Sequence, residues 1–249
     1  MLILLPPSET KREGGAEGSR LSSRALGFPA LAAARREAHA ALEELARDPE
    51  ASRVALKLGP TQAGEAERNR RIRRSPVLPA LDRYDGVLYD ALDAATLPDE
   101  ARSFAHEHLA IASALFGLTR ALDPIPAYRL SADSRMPGVS LKQLWTSPIA
   151  AVVAARPGLV LDLRSEAYAA LGPAPRREDS VFVRVVTDAG GRRRALNHFN
   201  KAGKGHLTRA LLLAGIVHPD VASLTAWAAG EGIRLEPGAP GELDLVVSA

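Results

Sequence analysis

The chain begins with a short apolar run that stops at two prolines. Residues 1–5 read MLILL, and residues 6–11 read PPSETK. A continuous apolar run of this length is typical of a strand buried inside a sheet, and it is too short for a membrane span or a signal sequence. Proline cannot continue the ladder of a central strand, so the strand must end in a turn. That turn carries a hydroxyl, a carboxylate and an amine in Ser8, Glu9 and Lys11.

A second strand end has a similar composition. The stretch GLVLDLRSEAY predicts a strand over Leu159–Leu163 that runs into a turn with Ser165, Glu166 and Tyr168. One interpretation is that each serine caps a helix and each glutamate favours the first helical turn. The other is that the two strand ends converge on one cleft, because sites collect at the carboxyl ends of strands.

The rest of the chain mixes helices and strands. The spacing of apolar residues predicts helices over residues 31–47 and 101–122, and a further helix that Ser140 caps. The segments VFVRVV and RRRALNHF predict a β-hairpin, a helix follows over His206–Leu213, and the last residues predict a pair of strands. No repeat or linker divides the chain. We therefore expect a single compact domain over residues 1–249 of the α+β (mixed α/β) class, with a mixed sheet flanked by helices.

The composition excludes several kinds of site. Cysteine is absent, which rules out disulfides, thiol nucleophiles and cysteine-based zinc or iron–sulfur centres. His106 and His108 are two residues apart on a predicted helix, so they point in different directions and do not share a metal. We expect neither a metal nor another cofactor. No apolar run approaches the roughly 20 residues of a membrane helix, so we expect a cytoplasmic protein without a membrane partner.

The strongest sign of a charged partner is the stretch RRRALNHFNKAGKGHLTR over residues 192–209, which has six cationic residues and no acidic one. We expect Gly203 and Gly205 to let the backbone approach a partner, and the first N–H groups of the following helix to favour an anion such as phosphate. The alternative is a solvated hairpin edge with an ordinary glycine turn. GKGH lacks the spacing of a Walker A loop, so nucleotide hydrolysis of that kind is not expected.

Two other stretches carry positive charge. The run Arg68–Arg74 holds five arginines within seven residues, and a solvated face is its simpler interpretation. Tyr128 and Arg129 follow a segment that two prolines stiffen. Arginine binds phosphate in a bidentate manner and tyrosine can stack on a base, so this pair is a candidate nucleic-acid contact.

Several stretches together resemble the YaaA family of peroxide-stress proteins. They run nearly from end to end and read LLPPSETK, YDGVLYDAL, SALFGLTRALDPIPAYRLS, MPGVSLKQLW, LVLDLRSEAY and NHFNKAGKGHLTRALL. The resemblance implies one α/β domain of unusual fold, in a cytoplasmic protein that binds DNA, including irregular or branched forms. It also implies a positively charged cleft, a helix-hairpin-helix-like element, and a role in limiting damage during hydrogen peroxide stress, associated with lowered free iron.

The resemblance extends to individual positions. The residues similar to those of the family are Ser8, Glu9, Lys11, Tyr84, Gly86, Tyr89, Asp123, Tyr128, Arg129, Ser165, Glu166, Tyr168, Lys201, Gly205 and Arg209. Three positions depart from the family's pattern: Thr10 replaces a glycine, Ala121 a proline and Lys204 an arginine. Lysine keeps the charge at position 204 but loses the planar fork that binds phosphate in a bidentate manner.

Two hypotheses on function follow. In the first, the protein is a monomer that binds DNA during peroxide stress, with a cleft lined by Ser8, Tyr128, Ser165 and Tyr168 and with phosphate contacts from Lys11, Arg129, Arg193, Lys201, Lys204 and Arg209. In the second, it is an enzyme that binds a nucleobase, nucleotide or nucleic acid and uses Glu9 and Glu166 as acid–base residues. Both favour the turn after the first strand as the wall of a site, and Ser8 can still cap a helix there.

Overall fold

The computed structural model describes residues 1–62, 64–189, 192–195 and 199–247, and the side chains of residues 188, 189, 192–195 and 199 lie outside that description. The strands are β1 (Leu2–Leu5), β2 (Val77–Pro79), β3 (Leu109–Ser113), β4 (Gly117–Arg120), β5 (Pro124–Pro126), β6 (Val160–Asp162), β7 (Ser180–Ala189), β8 (Arg192–Ala195), β9 (Arg234–Pro237) and β10 (Glu242–Val247). The α-helices are α1 (Ala32–Leu45), α2 (Pro49–Ala55), α3 (Gly64–Arg70), α4 (Ala80–Arg83), α5 (Val87–Leu92), α6 (Asp99–His108), α7 (Leu141–Ala154), α8 (Glu166–Ala169), α9 (Phe199–Ala214) and α10 (Val221–Gly230).

One mixed sheet holds most of these strands, in the order β4-β3-β1-β6-β7-β10-β9. The pairs β1–β3, β1–β6, β6–β7 and β7–β10 are parallel, whereas β4, β8 and β9 each pair with a neighbour in the antiparallel direction. Every residue of β1, β3 and β6 is buried, as expected for parallel strands that are covered on both faces. The expected mixed sheet of an α+β protein is confirmed.

Most of the predicted elements are present. The helix predicted over residues 31–47 is α1, and the helix predicted after Ser140 is α7, whose first turn donates from the Gln143 amide to the Ser140 hydroxyl. The predicted hairpin is the antiparallel pair β7–β8, and the terminal pair is β9–β10. Within the described residues, no helix is long and apolar enough to cross a membrane.

The long helix predicted over residues 101–122 is wrong beyond His108. The chain leaves α6 there, forms β3, turns at Gly117 with a φ of 74°, and returns as β4. The segment Leu109–Ile111 pairs with Ile3–Leu5 of β1. An apolar run of this kind suits a helix face and a fully buried strand equally well, and the pairing with β1 decides between them.

The second correction concerns the glycines of the basic stretch. Helix α9 begins at Phe199 rather than at His206, so Gly203 and Gly205 lie inside the helix and not in a loop before it. A Cβ atom on Gly205 would lie 2.3 Å from the Leu88 carbonyl oxygen of α5, and one on Gly203 would lie 3.2 Å from Val247. The glycines therefore allow α9 to pack closely against α5 and the sheet, and they do not form a loop that presents N–H groups to an anion.

Candidate functional site

The carboxyl ends of three neighbouring strands form one edge of the sheet. The strands β1, β3 and β6 run in parallel and end at Leu5, Ser113 and Asp162. The turn after β1 (residues 6–11) and the turn after β6 (residues 163–168) are therefore neighbours. The two Ser-Glu pairs singled out in the sequence come to this edge, which we call the carboxyl edge.

The first turn is held together by hydrogen bonds from a lysine within it. The Lys11 ammonium donates to the Ser8 carbonyl oxygen at 2.9 Å and to the Glu9 carbonyl oxygen at 3.1 Å. Lys11 also forms an isolated β-bridge with Tyr84. The next helical segment in the described chain starts only at Ser23, so the prediction that Ser8 caps a helix is wrong. Instead, Ser8 supplies a backbone acceptor for a buried amine.

The amine of Lys11 lies against aromatic rings. Its nitrogen is 4.3 Å from the centroid of the Tyr128 ring and 5.4 Å from that of Tyr84, which are distances of cation–π contacts. Only 5% of the residue is exposed. This burial, assisted by the charge of Arg129, lowers the pKa of Lys11 to about 7. The amine is thus able to gain or lose a proton near neutral pH.

A chain of hydroxyls extends from these rings to the end of β3. The Tyr128 hydroxyl is 2.9 Å from the Tyr84 hydroxyl and 2.7 Å from the Ser113 hydroxyl. The Ser113 hydroxyl in turn accepts from the amides of Leu115 and Phe116, which fixes its place at the strand end. The network holds both phenols in place beneath the Lys11 amine. Tyr128 is 1% exposed, so the prediction that its ring lines a cleft and stacks on a base is wrong.

The other two tyrosines of the chain adjoin this network. Tyr89 stacks at 5.3 Å between ring centroids on Tyr84 and donates to the Pro6 carbonyl at 2.8 Å. Tyr168, on α8, is half-buried and lies close enough to Tyr128 for the two phenols to interact electrostatically. Burial raises the pKa of all four phenols above the ordinary value of 10.0. We call Lys11, Ser113 and the tyrosines at 84, 89, 128 and 168 the Lys11 cluster.

Arg129 covers the Lys11 cluster from the solvent side. Its guanidinium donates to the Glu9 carboxylate at 2.7 Å, and its own side chain is 11% exposed whereas that of Glu9 is 63% exposed. Asn69 holds the Arg129 backbone through two hydrogen bonds of 2.8 Å, one to the amide and one to the carbonyl. Glu9 is therefore the acidic group of the first turn that faces solvent.

The second turn has its own buried ion pair. Asp162 accepts from the Arg164 guanidinium at 2.9 and 2.7 Å, and both side chains are almost fully buried. Ser165 stands at the start of α8, but its hydroxyl makes no capping hydrogen bond. The Glu166 carboxylate accepts from Arg184 of β7 at 3.0 Å. A helix thus begins at the second turn, as one interpretation of the sequence predicted.

Lys204 reaches the second turn from helix α9. Its ammonium donates to the Arg164 carbonyl oxygen at 3.2 Å and lies 5.2 Å from the centroid of the Phe182 ring. Burial lowers the pKa of Lys204 to about 8. The lysine predicted to contact phosphate therefore stabilises the backbone of a turn, and its charge is screened from solvent by the protein.

Three further predicted phosphate contacts lie elsewhere. Arg209 donates to the carbonyls of Leu92 and Asp93 at 2.9 Å, so its guanidinium caps the end of α5. Lys201 is exposed in the first turn of α9. Arg193 lies on β8, and its side chain is outside the described part of the structure.

The arginines of the run at residues 68–74 are mostly matched by glutamates. Arg68 pairs with Glu65 and Glu13, both Arg70 and Arg71 pair with Glu67, and Arg73 pairs with Glu43. This agrees with a solvated face rather than a nucleic-acid contact. In the residues that the structure describes, no group of three or more histidines, aspartates or glutamates could hold a metal.

Some residues at the carboxyl edge were not predicted from the sequence. They are Asn69, Ser113, Asp162, Arg164, Phe182 and Arg184, and each acts through a partner distant in sequence or through the end of a strand. Only Asp162 carried a usable signal, because an acidic residue inside the apolar run LVLDL needs a buried partner.

Comparisons with known proteins find sequence relatives that match nearly the whole chain. The sequence model of a family described as "Peroxide stress protein YaaA" matches residues 1–235. A UPF0246 protein of Corynebacterium glutamicum is 45% identical over 256 residues, covering 99% of this chain and 100% of that protein. A UPF0246 protein of Streptomyces coelicolor is 40% identical, covering 96% of this chain and 94% of that protein. A more distant UPF0246 protein, of Bacteroides thetaiotaomicron, is 29% identical over 69% of this chain and 70% of its own length.

Proposed function

Because the chain belongs to the YaaA family of peroxide stress proteins, we propose that it protects the cell during peroxide stress by binding DNA, including irregular or branched forms. Bound in this way, the protein limits iron-dependent oxidative damage to the nucleic acid. The contacts are to the phosphate backbone and therefore do not require a particular base sequence, since phosphates carry no sequence information.

The topology of β7 carries the proposal. Phe182 of β7 is level with Asp162 at the end of β6, and β7 continues from there to Ala189. The hairpin β7–β8 therefore projects past the carboxyl edge, and β8 carries the three consecutive arginines Arg192–Arg194. Lys201 lies in the first turn of α9, the next described element along the chain. A basic projection beside the Lys11 cluster is a suitable surface for a polyanion.

The cations at the edge divide into two groups in this proposal. Lys201 and the arginines of β8 contact phosphate. Lys11, Lys204 and Arg129 are buried or paired, and they hold the turns on which the surface is built. Arg209 stabilises the junction of α9 with α5 and contributes no phosphate contact.

Salt-dependent binding tests the proposal directly. Affinities for duplex and for branched DNA are measured by fluorescence anisotropy at several salt concentrations, for the wild type and for a variant with glutamine at positions 192–194 and 201. We expect affinity to fall steeply with salt, and the slope of log K against log salt to decrease by about 0.9 for each phosphate contact that the variant loses. Arg36→Gln, at an exposed arginine of α1, is the control. Absence of binding at low salt would contradict the proposal.

The proposed protection of the cell against peroxide has a separate test. Cells that carry the wild-type gene, the glutamine variant or no gene are exposed to hydrogen peroxide, with and without an iron chelator. We expect the variant to survive no better than the deletion strain, and the chelator to remove the difference between them and the wild type. If the variant protects as well as the wild type, protection against peroxide does not require DNA binding.

A second candidate is an enzyme that acts on a nucleobase, nucleotide or nucleic acid. The observation that favours it is the Lys11 amine, whose pKa is lowered to about 7 by burial beside two phenols and near Glu9. Glu9 and Glu166 pair with different arginines, and Glu166 lines a large cavity whose lining does not include Glu9. Because the two glutamates do not share this cavity, the predicted acid–base pair is not assembled, and the candidate rests on Glu9 beside Lys11. Glu9→Gln should abolish turnover and leave DNA affinity unchanged, whereas Glu166→Gln should keep turnover.

A further inference from the structure

A cavity of about 980 Å³ lies beside the second turn, outside the Lys11 cluster. Its walls come from α8, from the segment that connects α8 to β7, and from the first residues of β7 and β10. The cavity is open to solvent and large enough for a nucleotide. Neither DNA binding at the projecting hairpin nor the proton chemistry of Lys11 uses it.

The apolar lining suits a flat ring. The segment from Ala169 to Pro175 contributes alanine and proline side chains, and the half-buried ring of Phe182 contributes an aromatic face. An aromatic side chain beside small apolar residues is the usual environment of a stacked base. The Phe182 ring has the Arg184 guanidinium at 5.4 Å and the Lys204 ammonium at 5.2 Å from its centroid, so a base on this ring also meets these two cations.

Two carboxylates are held together at the same place. Arg184 donates from Nε to Glu242 Oε2 at 2.6 Å and from Nη1 to Glu166 Oε1 at 3.0 Å. Each carboxylate has a second oxygen that accepts no hydrogen bond within the described chain. One guanidinium thus orients two acceptors, and both residues line the cavity. Adjacent acceptors of this kind match a base edge with adjacent N–H donors, which guanine presents at N1 and N2.

A cation with no partner among the described residues completes the lining. Arg176 is exposed and, among the described residues, makes no hydrogen bond or ion pair. Its neighbour Arg177 differs, because Arg177 pairs with Asp179 at 2.7 Å and donates to two backbone carbonyls at 2.7 Å each. Arg176 is thus the guanidinium of the cavity that remains available for a phosphate.

We propose that this cavity binds a guanine nucleotide, with the base against Phe182, the base edge on Glu166 and Glu242, and the phosphate on Arg176. The ligand is either a free nucleotide or an unstacked guanosine of a single-stranded segment, because both present the same base and phosphate. The site goes beyond DNA binding at the hairpin and does not depend on it.

Calorimetric titration with GMP, AMP, UMP and guanosine tests the site on the full-length protein. We expect GMP to bind about ten-fold more tightly than AMP or UMP, because only guanine offers adjacent N–H donors to the carboxylates. Phe182→Leu keeps an apolar side chain and should weaken GMP binding by about ten-fold or more through lost stacking. Arg176→Ala should weaken GMP binding and leave guanosine binding unchanged. Glu166→Gln should reduce the preference for GMP over AMP.

Matched controls are Arg36→Ala and Glu100→Gln, which remove an exposed arginine from α1 and an exposed carboxylate from α6. The melting temperature of each variant shows that it is folded. The proposal is overturned if GMP gives no saturable binding up to about 1 mM, if AMP and UMP bind equally well, or if folded Phe182→Leu binds GMP as the wild type does.

Competition distinguishes the source of the ligand. An oligonucleotide with one guanosine among thymidines competes with GMP if a single-stranded segment enters the cavity, and does not compete if only the free nucleotide fits. Either result requires GMP to bind first. Duplex DNA affinity of the cavity variants should equal that of the wild type. Wild-type protein that binds GMP but no duplex contradicts only DNA binding at the hairpin, and wild-type protein that binds duplex but no GMP contradicts only the guanine site.

Discussion

The turn after β1 and the turn after β6 contain the same Ser-Glu pair at neighbouring positions of one edge, but different partners hold them. Lys11 lies in the first turn itself and bonds to the carbonyls of Ser8 and Glu9. The second turn receives its lysine, Lys204, from helix α9 and relies on the buried pair of Asp162 with Arg164. The first turn is closed locally, whereas the second is closed by the assembled fold.

This difference determines where charge is buried. At the first turn, the buried amine is met by aromatic rings and backbone carbonyls, and the carboxylate of Glu9 stays in solvent. At the second turn, a carboxylate and a guanidinium are buried together. The four predictions that follow test this comparison, and the substitutions compared at a single pH are arranged from the largest expected effect to the smallest.

The largest effect is expected from Asp162→Ala. The substitution leaves the guanidinium of Arg164 buried without its carboxylate, which costs about 3–5 kcal/mol of unfolding free energy. Urea unfolding followed by circular dichroism measures the loss, with Asp90→Ala on the exposed face of α5 as the control. A loss below about 1 kcal/mol would show that the second turn does not depend on its buried pair.

Gly205→Ala tests the close packing of α9, the helix that brings Lys204 to the second turn. The new Cβ would lie 2.3 Å from the Leu88 carbonyl oxygen, so α9 must move away from α5, and we expect a loss of about 1–3 kcal/mol in unfolding free energy. Gly230→Ala in α10 is the matched control, because no atom lies within 4 Å of its Cβ position. The control should gain about 0.5–1 kcal/mol from helix propensity. Similar effects of the two substitutions would contradict the close packing of α9 on α5.

The pH dependence of stability distinguishes Lys11 from Lys204, because their contributions to the free energy of unfolding change over different pH ranges. Burial lowers the pKa of Lys11 to about 7 and that of Lys204 to about 8, against an ordinary value of 10.5 in the unfolded chain. Between the folded and unfolded pKa values the unfolded chain binds more protons, so stability rises with pH by up to about 1.4 kcal/mol per pH unit for each lysine. The rise from Lys11 begins near pH 7 and that from Lys204 near pH 8.

The measurement is the unfolding free energy from pH 6.5 to 9.5 for the wild type, Lys11→Met and Lys204→Met. Methionine removes the titrating amine and keeps a side chain of similar length. Lys11→Met should lose the rise that begins near pH 7, and Lys204→Met should keep it. The same profile for both variants would mean that the two amines do not differ in their surroundings.

The smallest effects are expected from Glu9→Gln and Glu166→Gln. Both carboxylates are largely exposed, and pairs of this kind contribute at most about 1 kcal/mol. Glu9→Gln should cost slightly more, because its partner Arg129 is 11% exposed whereas Arg184 is 41% exposed and keeps Glu242. Chemical denaturation of both variants, with Glu100→Gln as a control, checks the order, and a larger cost for Glu166→Gln would reverse the comparison.

The contrast between a turn closed by its own residues and a turn closed by distant ones also explains which features could be predicted from the sequence and which could not. The strands β1 and β6 and their polar turns were visible, because a short apolar run bounded by proline or charged residues has few alternatives. The apolar pattern predicts helix at β3, whereas Leu109–Ser113 forms a strand because it pairs with a segment that is distant in the chain. Local pattern carries no information on that pairing.

The candidate site was predicted in part for a similar reason. Glu9, Lys11, Tyr128, Arg129 and Tyr168 were all named from the sequence, and they do meet at the carboxyl edge. Their electrostatic roles were not visible, because Lys11 becomes a buried amine only through the rings of Tyr84 and Tyr128. The glycine neighbours of Lys204 predict a loop that exposes it, whereas in the structure they pack a helix.

The chain has only four tyrosines, and all of them lie in the Lys11 cluster. Every tyrosine signal of this protein therefore originates from one place. Near-ultraviolet difference spectra, tyrosine resonance Raman bands and ring resonances of tyrosine-labelled protein all report on this one cluster, in which the rings of Tyr84 and Tyr128 contact the Lys11 amine, without any engineered probe. Ligand entry or proton transfer at the carboxyl edge can thus be observed in the unmodified protein, against a background that contains no other phenol.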